Sequence, residues 1–224
     1  DLKEGDKIAT LVSLSLTPLR IDKIKEIRPD VDQVDIDGKA ILFESGIYAK
    51  IPTDLPEKLA LSALDVAGAP AQTAKLVKPG DTVLIIGAGG KSGMLCCYEA
   101  MKRAGVTGKV IGLCHSQKSA DRLKALGFCH TVFTADATQP VPVMEKISEL
   151  TGGQMCDVTI NNVNIPDTEM TSILCTKNDG VVYFFSMATS FTKAALGAEG
   201  VGSDVTMIVG NGYTKGHAEI TLQE

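Results

Sequence analysis

No stretch of this chain approaches the roughly 18–20 consecutive apolar residues that cross a bilayer, so it offers no candidate transmembrane helix. The opening residues Asp1-Leu2-Lys3-Glu4-Gly5-Asp6 lack the apolar core of a secretion signal, and a cytoplasmic protein is expected. There is no C-x-x-C pair among Cys96, Cys97, Cys114, Cys129, Cys156 and Cys175, nor the thiolate clustering of a structural zinc lobe; the six are expected as reduced thiols, mostly in a core. The three histidines, His115, His130 and His217, do not fall at ligand spacing, so no metal is expected. A basic stripe is missing too: 22 basic and 27 acidic residues are scattered and leave a net charge of −5, which argues against nucleic acid as a partner. No internal repeat is present.

What the chain does have is apolar material: 44% of its 224 residues, enough for one good core and part of a second. From Thr82 onward, short apolar runs alternate with helical patterns, as in βαβ units. Strands are expected at Thr82–Ile86, Val110–Leu113, Thr131–Phe133, Asp157–Ile160, Val181–Phe185 and Val205–Val209, nearly continuous in apolar residues as a sheet covered on both faces requires. The fold class predicted is α/β, a doubly wound, six-stranded parallel Rossmann sheet. Ser116 is placed to cap a helix whose Ala120, Leu123 and Leu126 share a face and which ends at Gly127. Val143, Ile147 and Leu150 recur at helical spacing, and Asp167 is expected to cap a helix burying Met170, Ile173 and Leu174.

The texture before this region differs. Gly5–Val12 and Ala40–Phe43 read as strands separated by a polar, carboxylate-rich stretch from Asp22 to Asp37, which predicts an all-β element. Pro52, Pro56 and Pro70 punctuate the approach to the sheet, with the boundary inside Pro56–Lys78 through two short helices, and Lys78-Pro79-Gly80-Asp81 supplies a turn into the first strand.

Between that strand and an apolar helix lies Gly87-Ala88-Gly89-Gly90-Lys91-Ser92-Gly93. A diphosphate needs bare backbone N–H groups at a helix N-terminus, and residues without side chains allow both the tight turn and the close approach. The strict G-x-G-x-x-G pattern would require glycine at Ser92; Gly87, Gly90 and Gly93 instead fit a G/A-x-x-G-x-x-G spacing. A phosphate-hydrolysing loop is disfavoured, since Ile85 stands where G-x-x-x-x-G-K would need glycine. An NAD site normally ends its second strand on Asp or Glu, which accepts from the adenosine ribose hydroxyls. Cys114 and His115 occupy those positions, and Ser116, Lys118 and Arg122 follow as possible donors to a 2′-phosphate. That favours NADP or dual use without excluding NAD; His115 is expected beside the adenine ribose.

The order of a β-rich lobe, the Lys78–Asp81 turn, the glycine loop, Leu126-Gly127-Phe128 and Gly180–Phe184 resembles the medium-chain dehydrogenases. The segments Ala40–Ala49, Leu64–Gln72 and Phe185–Gly200 resemble one branch, the L-erythro-3,5-diaminohexanoate dehydrogenase family of bacterial lysine fermentation, over essentially the whole chain. The resemblance implies a partial β-rich, GroES-like catalytic lobe over residues 1–64, a dinucleotide-binding domain over 65–215, and a return toward the catalytic lobe over 216–224. It also implies that members carry more of that lobe before Asp1 and a further helix after Glu224. The implied activity is NAD(P)-dependent oxidative deamination of a small diamino acid, in a homo-oligomer such as a dimer.

Such chemistry needs a base, because an ammonium has no lone pair to push as hydride leaves, and it needs charged partners for the substrate. Asp65, about where zinc-using members of the superfamily place a cysteine, is the first candidate for base or ammonium anchor, and Glu44 is the second. Asn161, Asn162, Ser186 and Met187 end the fourth and fifth strands at the carboxyl edge and are assigned to cofactor contact, with local backbone bonding the alternative for the asparagines. Gly210-Asn211-Gly212-Tyr213 either reaches the nicotinamide or caps a dimer edge. An NADPH-dependent quinone or enoyl reductase, and a catalytically silent nucleotide-binding module, remain open as alternatives.

Overall fold

In the computed structural model, which describes residues 2–11, 17–210, 214 and 216–223, the chain divides after Asp65 into two units. The first holds two small antiparallel pairs. Strand β1 (Ile8–Thr10) pairs with β4 (Tyr48–Lys50), and β2 (Leu19–Arg28) pairs with β3 (Gln33–Ala40) through a 3-10 turn at Pro29–Val31 closed by Asp32 in a left-handed conformation. Helix α1 (Glu57–Leu64) follows and buries Ala60 and Leu64.

The carboxylate-rich stretch expected to separate two strands is therefore itself the longest hairpin, and β3 stops at Ala40, so Ile41, Leu42 and Phe43 are not strand. Bulges between Ile21 and Lys23 and between Ile24 and Glu26 explain the misreading. Each inserts a residue and turns the usual two-residue alternation into a three-residue one. Leu19, Ile21, Ile24 and Ile27 thereby share a face opposite Ala40, Gly38, Ile36 and Val34. The other face carries the charges, with Arg28 bonded to Glu26 and Asp35, and Lys25 to Asp37. These exposed pairs are worth at most about 1 kcal/mol each. Val12, the end of the expected first strand, lies outside the described residues.

The second unit is built on α2 (Gly68–Leu76) and a six-stranded, all-parallel sheet. Its strands are β5 (Thr82–Ile86), β6 (Lys109–Cys114), β7 (Thr131–Thr134), β8 (Cys156–Asn161), β9 (Thr176–Phe184) and β10 (Val205–Val209). Their order is β10-β9-β8-β5-β6-β7, so the chain winds outward from β5, crosses back to β8 and winds outward again. The expected strands recur, although β9 begins at Thr176, five residues before the expected start at Val181, and ends at Phe184.

Connecting helices are α3 (Lys91–Ala104), α4 (Gln117–Leu126), α5 (Pro140–Thr151), α6 (Glu169–Leu174) and α7 (Phe191–Gly200), with α8 (His217–Leu222) packed against α2. Along β5 the side chains alternate between two cores. Val83 and Ile85 meet Cys96, Cys97 and Ala100 of α3, whereas Leu84 and Ile86 meet Val143 and Ile147 of α5. These four β5 side chains are fully buried, at about 1.5–3 kcal/mol apiece, which makes β5 a rigid mount for the loop that follows it.

Two local expectations are corrected. Leu126 does not share the buried face of Ala120 and Leu123 but stands 44% exposed, one residue before the Gly127 cap. Asp167 does not cap α6; Thr168 is the N-cap without a side-chain bond, and Asp167 pairs with Lys193 of α7. Ile173 is buried as expected, while Met170 and Leu174 are only partly so. Among the described residues no helix is long and apolar enough to cross a membrane.

Candidate functional site

The glycine loop joins β5 to α3 at the point where the sheet order reverses, the place where doubly wound folds bind ligands. Leu113 of the neighbouring β6 accepts from both Gly87 N (3.0 Å) and Ala88 N (3.0 Å), and Gly90 N donates back to Gly87 O (3.0 Å). Helix α3 then starts from Gly90 without a side-chain cap, and its first internal bond runs from Met94 N to Gly90 O (2.9 Å). A helix start has N–H groups with no intrahelical acceptor and about half a positive charge, which suits a diphosphate. The loop contains no acidic side chain to oppose one, and Lys91 and Ser92 lie in that first turn.

Steric detail sharpens the glycine reading. A Cβ on Gly93 would come 2.2 Å from Gly87 O and 2.7 Å from Ala88 Cα, so the helix can approach the loop only without a side chain there. Gly87 has φ +80°, and its Cβ would meet Val163 at 2.8 Å. Gly89, which the spacing argument passed over, would put a Cβ 2.6 Å from Ser119 Cβ. Gly90 is exposed, and the nearest atom to a Cβ there is 3.4 Å away. Packing therefore requires Gly87, Gly89 and Gly93; Gly90, part of the fitted motif, is the tolerant position. The first Gly-x-Gly pair was the available signal for Gly89.

At the end of β6, Ser116 is the N-cap of α4, its Oγ accepting from Ser119 N (3.3 Å). His115, Ser116 and Lys118 are exposed together at the end of β6. Arg122, grouped with them from sequence, has Nη2 donating to the carbonyl of Gly89. Burial pushes the Cys114 thiol up, so a neutral side chain ends the buried strand where many dinucleotide folds hold a carboxylate.

The ends of β8 and β9 lie on the other side of β5 or beyond it. Asn161 is fully buried; its Nδ2 donates to Thr168 Oγ1 (2.8 Å) and Ser172 Oγ (3.0 Å), and its Oδ1 accepts from Val163 N (3.0 Å). That side chain is spent on holding the β8–α6 connection, the local role weighed as the alternative. Asn162 differs: its backbone N donates to Ile86 O (3.0 Å), while its buried Nδ2 has no partner. A buried amide donor left unpaired costs about 1–3 kcal/mol, so a nearby polar ligand would relieve it. The open helix start, the glycine cradle and this orphan donor together fit a dinucleotide.

Ser186 is buried, its Oγ accepting from Ala188 N (3.1 Å), whereas Met187 projects 85% exposed. Glu169, which carried no sequence signal, is buried and accepts from Ser190 N (2.7 Å), tying α6 to the start of α7. Asn211, Gly212 and Tyr213 of the expected nicotinamide or dimer-edge segment lie outside the described residues; Gly210 precedes them at φ +147°.

The two catalytic candidates belong to the first unit. Asp65 is exposed at the C-terminal end of α1, its N donating to Leu61 O (3.1 Å). Glu44 does not extend the strand expected over Ala40–Phe43; it is exposed in the turn that Gly46 N closes on Phe43 O (2.7 Å). All six cysteines are free thiols, five of them buried. Among the described residues no group of three or more His, Cys, Asp or Glu side chains is arranged to hold a metal.

Comparison with known proteins joins these observations. Residues 1–52 match the model of the L-erythro-3,5-diaminohexanoate dehydrogenase N-terminal domain, and residues 93–207, over half of the chain, match that of the zinc-binding dehydrogenases. The L-erythro-3,5-diaminohexanoate dehydrogenase of Acetoanaerobium sticklandii is 69% identical over 223 residues, and that of Fusobacterium nucleatum 63% over 224. Each alignment covers 100% of this chain but 65% of the relative, so the chain spans about two thirds of the length of the curated proteins it matches. Among solved structures, AibC is similar at TM-score 0.66 and 18% identity over 84% of this chain and 54% of that one. A mycobacterial protein complexed with NADPH is similar at TM-score 0.60 and 21% identity over 79% and 53%. At such identities these structures speak for the fold alone. With the Rossmann sheet, the glycine loop and the matched model together, the chain belongs to the zinc-binding dehydrogenase family.

Proposed function

We propose that this chain is the larger part of a nicotinamide-dependent oxidoreductase that oxidatively deaminates the C3 amine of 3,5-diaminohexanoate. The products are 5-amino-3-oxohexanoate, ammonia and reduced cofactor, with one water consumed. The observation that carries the reading is the 69% and 63% identity, sustained along the whole chain, to two proteins bearing that name. The likeness to the solved structures rests on fold alone and favours no second reading.

The α3 start and its glycines would hold the diphosphate, the Asn162 amide would donate beside them, and His115, Ser116 and Lys118 would line the adenosine end. NAD and NADP are both admitted. When bound, the nicotinamide supplies the hydride acceptor. The chain's own tasks are to take a proton from the substrate ammonium before hydride departs, and to admit water to the resulting imine. Asp65 is our choice for the proton acceptor or ammonium anchor, with Glu44 second. We also propose a homo-oligomer, supported by β10, whose outer edge ends the sheet, and a cytoplasmic setting, supported by the six free thiols.

The test is to supply 3,5-diaminohexanoate with NAD or NADP to this chain and to a full-length relative, following the absorbance of the reduced nicotinamide. Quinones and enoyl thioesters with NADPH serve as the parallel arm. Turnover of the diamino acid, abolished by Asp65→Asn, supports the reading. Turnover of quinone or enoyl substrates in its place overturns it.

A further inference from the structure

We infer that Arg122 is a positioning residue that pins the glycine loop, and that it takes no part in choosing between NAD and NADP. The inference rests on the proposed dinucleotide site. By position alone, Arg122 belongs to the exposed group after β6 that would greet a 2′-phosphate. Its guanidinium instead reaches back to the loop and donates to the carbonyl of Gly89. The peptide that follows is held at its other end as well, since Gly90 N donates to Gly87 O (3.0 Å). One peptide plane is thus fixed from both sides, immediately before the first turn of α3.

The contact is built into the packing of α4. Ser116, Ser119 and Arg122 recur every third residue, so they share one side of that helix. Ser119 Oγ donates to Ser116 O (2.8 Å), and its Cβ lies where a side chain at Gly89 would have to go. Gly89 therefore rests against α4 with its oxygen turned to Arg122. A guanidinium is always charged, and a carbonyl that accepts from it forms one of the stronger hydrogen bonds available to a loop. With Arg122 so committed and Ser116 acting as the cap, Lys118 is the exposed cation left to meet a 2′-phosphate from this turn.

The experiment titrates this chain with NADH and with NADPH, read by nicotinamide fluorescence, for the parent, Arg122→Ala, Arg122→Lys and Lys118→Ala. Hydrogen exchange of the free proteins is followed in parallel. Arg122→Ala should weaken both cofactors by the same factor, about 10-fold for loss of a charged hydrogen bond. Their ratio should stay unchanged. Exchange should rise in residues 87–93 while the amides of β6 and β8 keep their protection. Arg122→Lys, which retains a donor and a charge, should recover part of the loss for both cofactors, and Lys118→Ala should weaken NADPH alone. Selective loss of NADPH binding in Arg122→Ala, with loop exchange unchanged, would overturn the inference and make Arg122 a phosphate ligand. A rise in exchange across the whole sheet would overturn it in favour of a general packing role. If the parent chain binds neither cofactor, the dinucleotide reading itself fails, a result that no variant could mimic.

Discussion

Replacing Gly93 by alanine isolates how closely α3 is seated on the loop. In an ordinary helix the change would help, by about 1 kcal/mol of intrinsic propensity. Here the new Cβ would lie 2.2 Å from Gly87 O, 2.7 Å from Ala88 Cα and 2.8 Å from Gly87 C, all backbone atoms that cannot rotate aside. Overpacking of this kind costs typically 1–3 kcal/mol and occasionally more, and immovable neighbours put Gly93 at the upper end. The net expectation is a loss of about 2 kcal/mol, or a fall of roughly 4–8 °C in Tm for a protein of this size. Gly90→Ala is the control. Its nearest neighbour would be 3.4 Å away and its φ of −81° suits any residue, so it loses only what alanine lacks as an N-cap. Thermal melts followed by circular dichroism, with and without NADH, separate the two. Equal Tm values for both variants, or a Gly90→Ala protein as unstable as Gly93→Ala, would refute the packing argument.

Three further outcomes follow from single residues. Asn162→Ala should change the stability of the free protein little, because deleting a buried unpaired donor offsets the loss of the Cys96 Sγ bond to Asn162 Oδ1 (3.8 Å), while weakening NADH about 10-fold; unchanged binding would remove Asn162 from the site. Burial holds the His217 imidazole below its usual value of 6.5, so the folded chain binds fewer protons there than the unfolded one. Its contribution is therefore complete above that value and is lost as pH falls through the lowered one; His217→Gln should flatten this acid limb in urea melts, and a parallel limb would contradict it. Burial pushes the Cys97 and Cys156 thiols well up and Cys175 to about 12, so iodoacetamide near neutral pH should spare all three until denaturant is added; rapid labelling of the native chain would show the packing to be wrong.

Much of the second unit was legible because its signals are local. Thr82–Ile86 and Val205–Val209 coincide with β5 and β10, and Ser116 and Gly127 bound α4 as cap chemistry requires. The first unit was less so. Two bulges in β2 converted strand alternation into a three-residue spacing, and the longest hairpin read as a polar separator. Within the candidate site, sequence could group segments but could not assign the work of each side chain. Asn161 and Asn162 are adjacent and identical in type, yet one is consumed inside the β8–α6 connection and the other holds an unpaired donor. Strand geometry sends neighbours to opposite faces, and what waits on each face comes from distant chain.

The sequence by itself determined the class of the protein: periodicity and punctuation dictate a doubly wound sheet, and the glycines between a buried strand and an apolar helix mark the turn proposed to hold the diphosphate. Only the tertiary structure decided which glycines packing demands, Gly87, Gly89 and Gly93, and where Arg122 spends its charge. Both answers depend on α4 and the β8 end coming against a loop that is remote from them in the chain. Local patterning carries no record of a contact made across 33 residues.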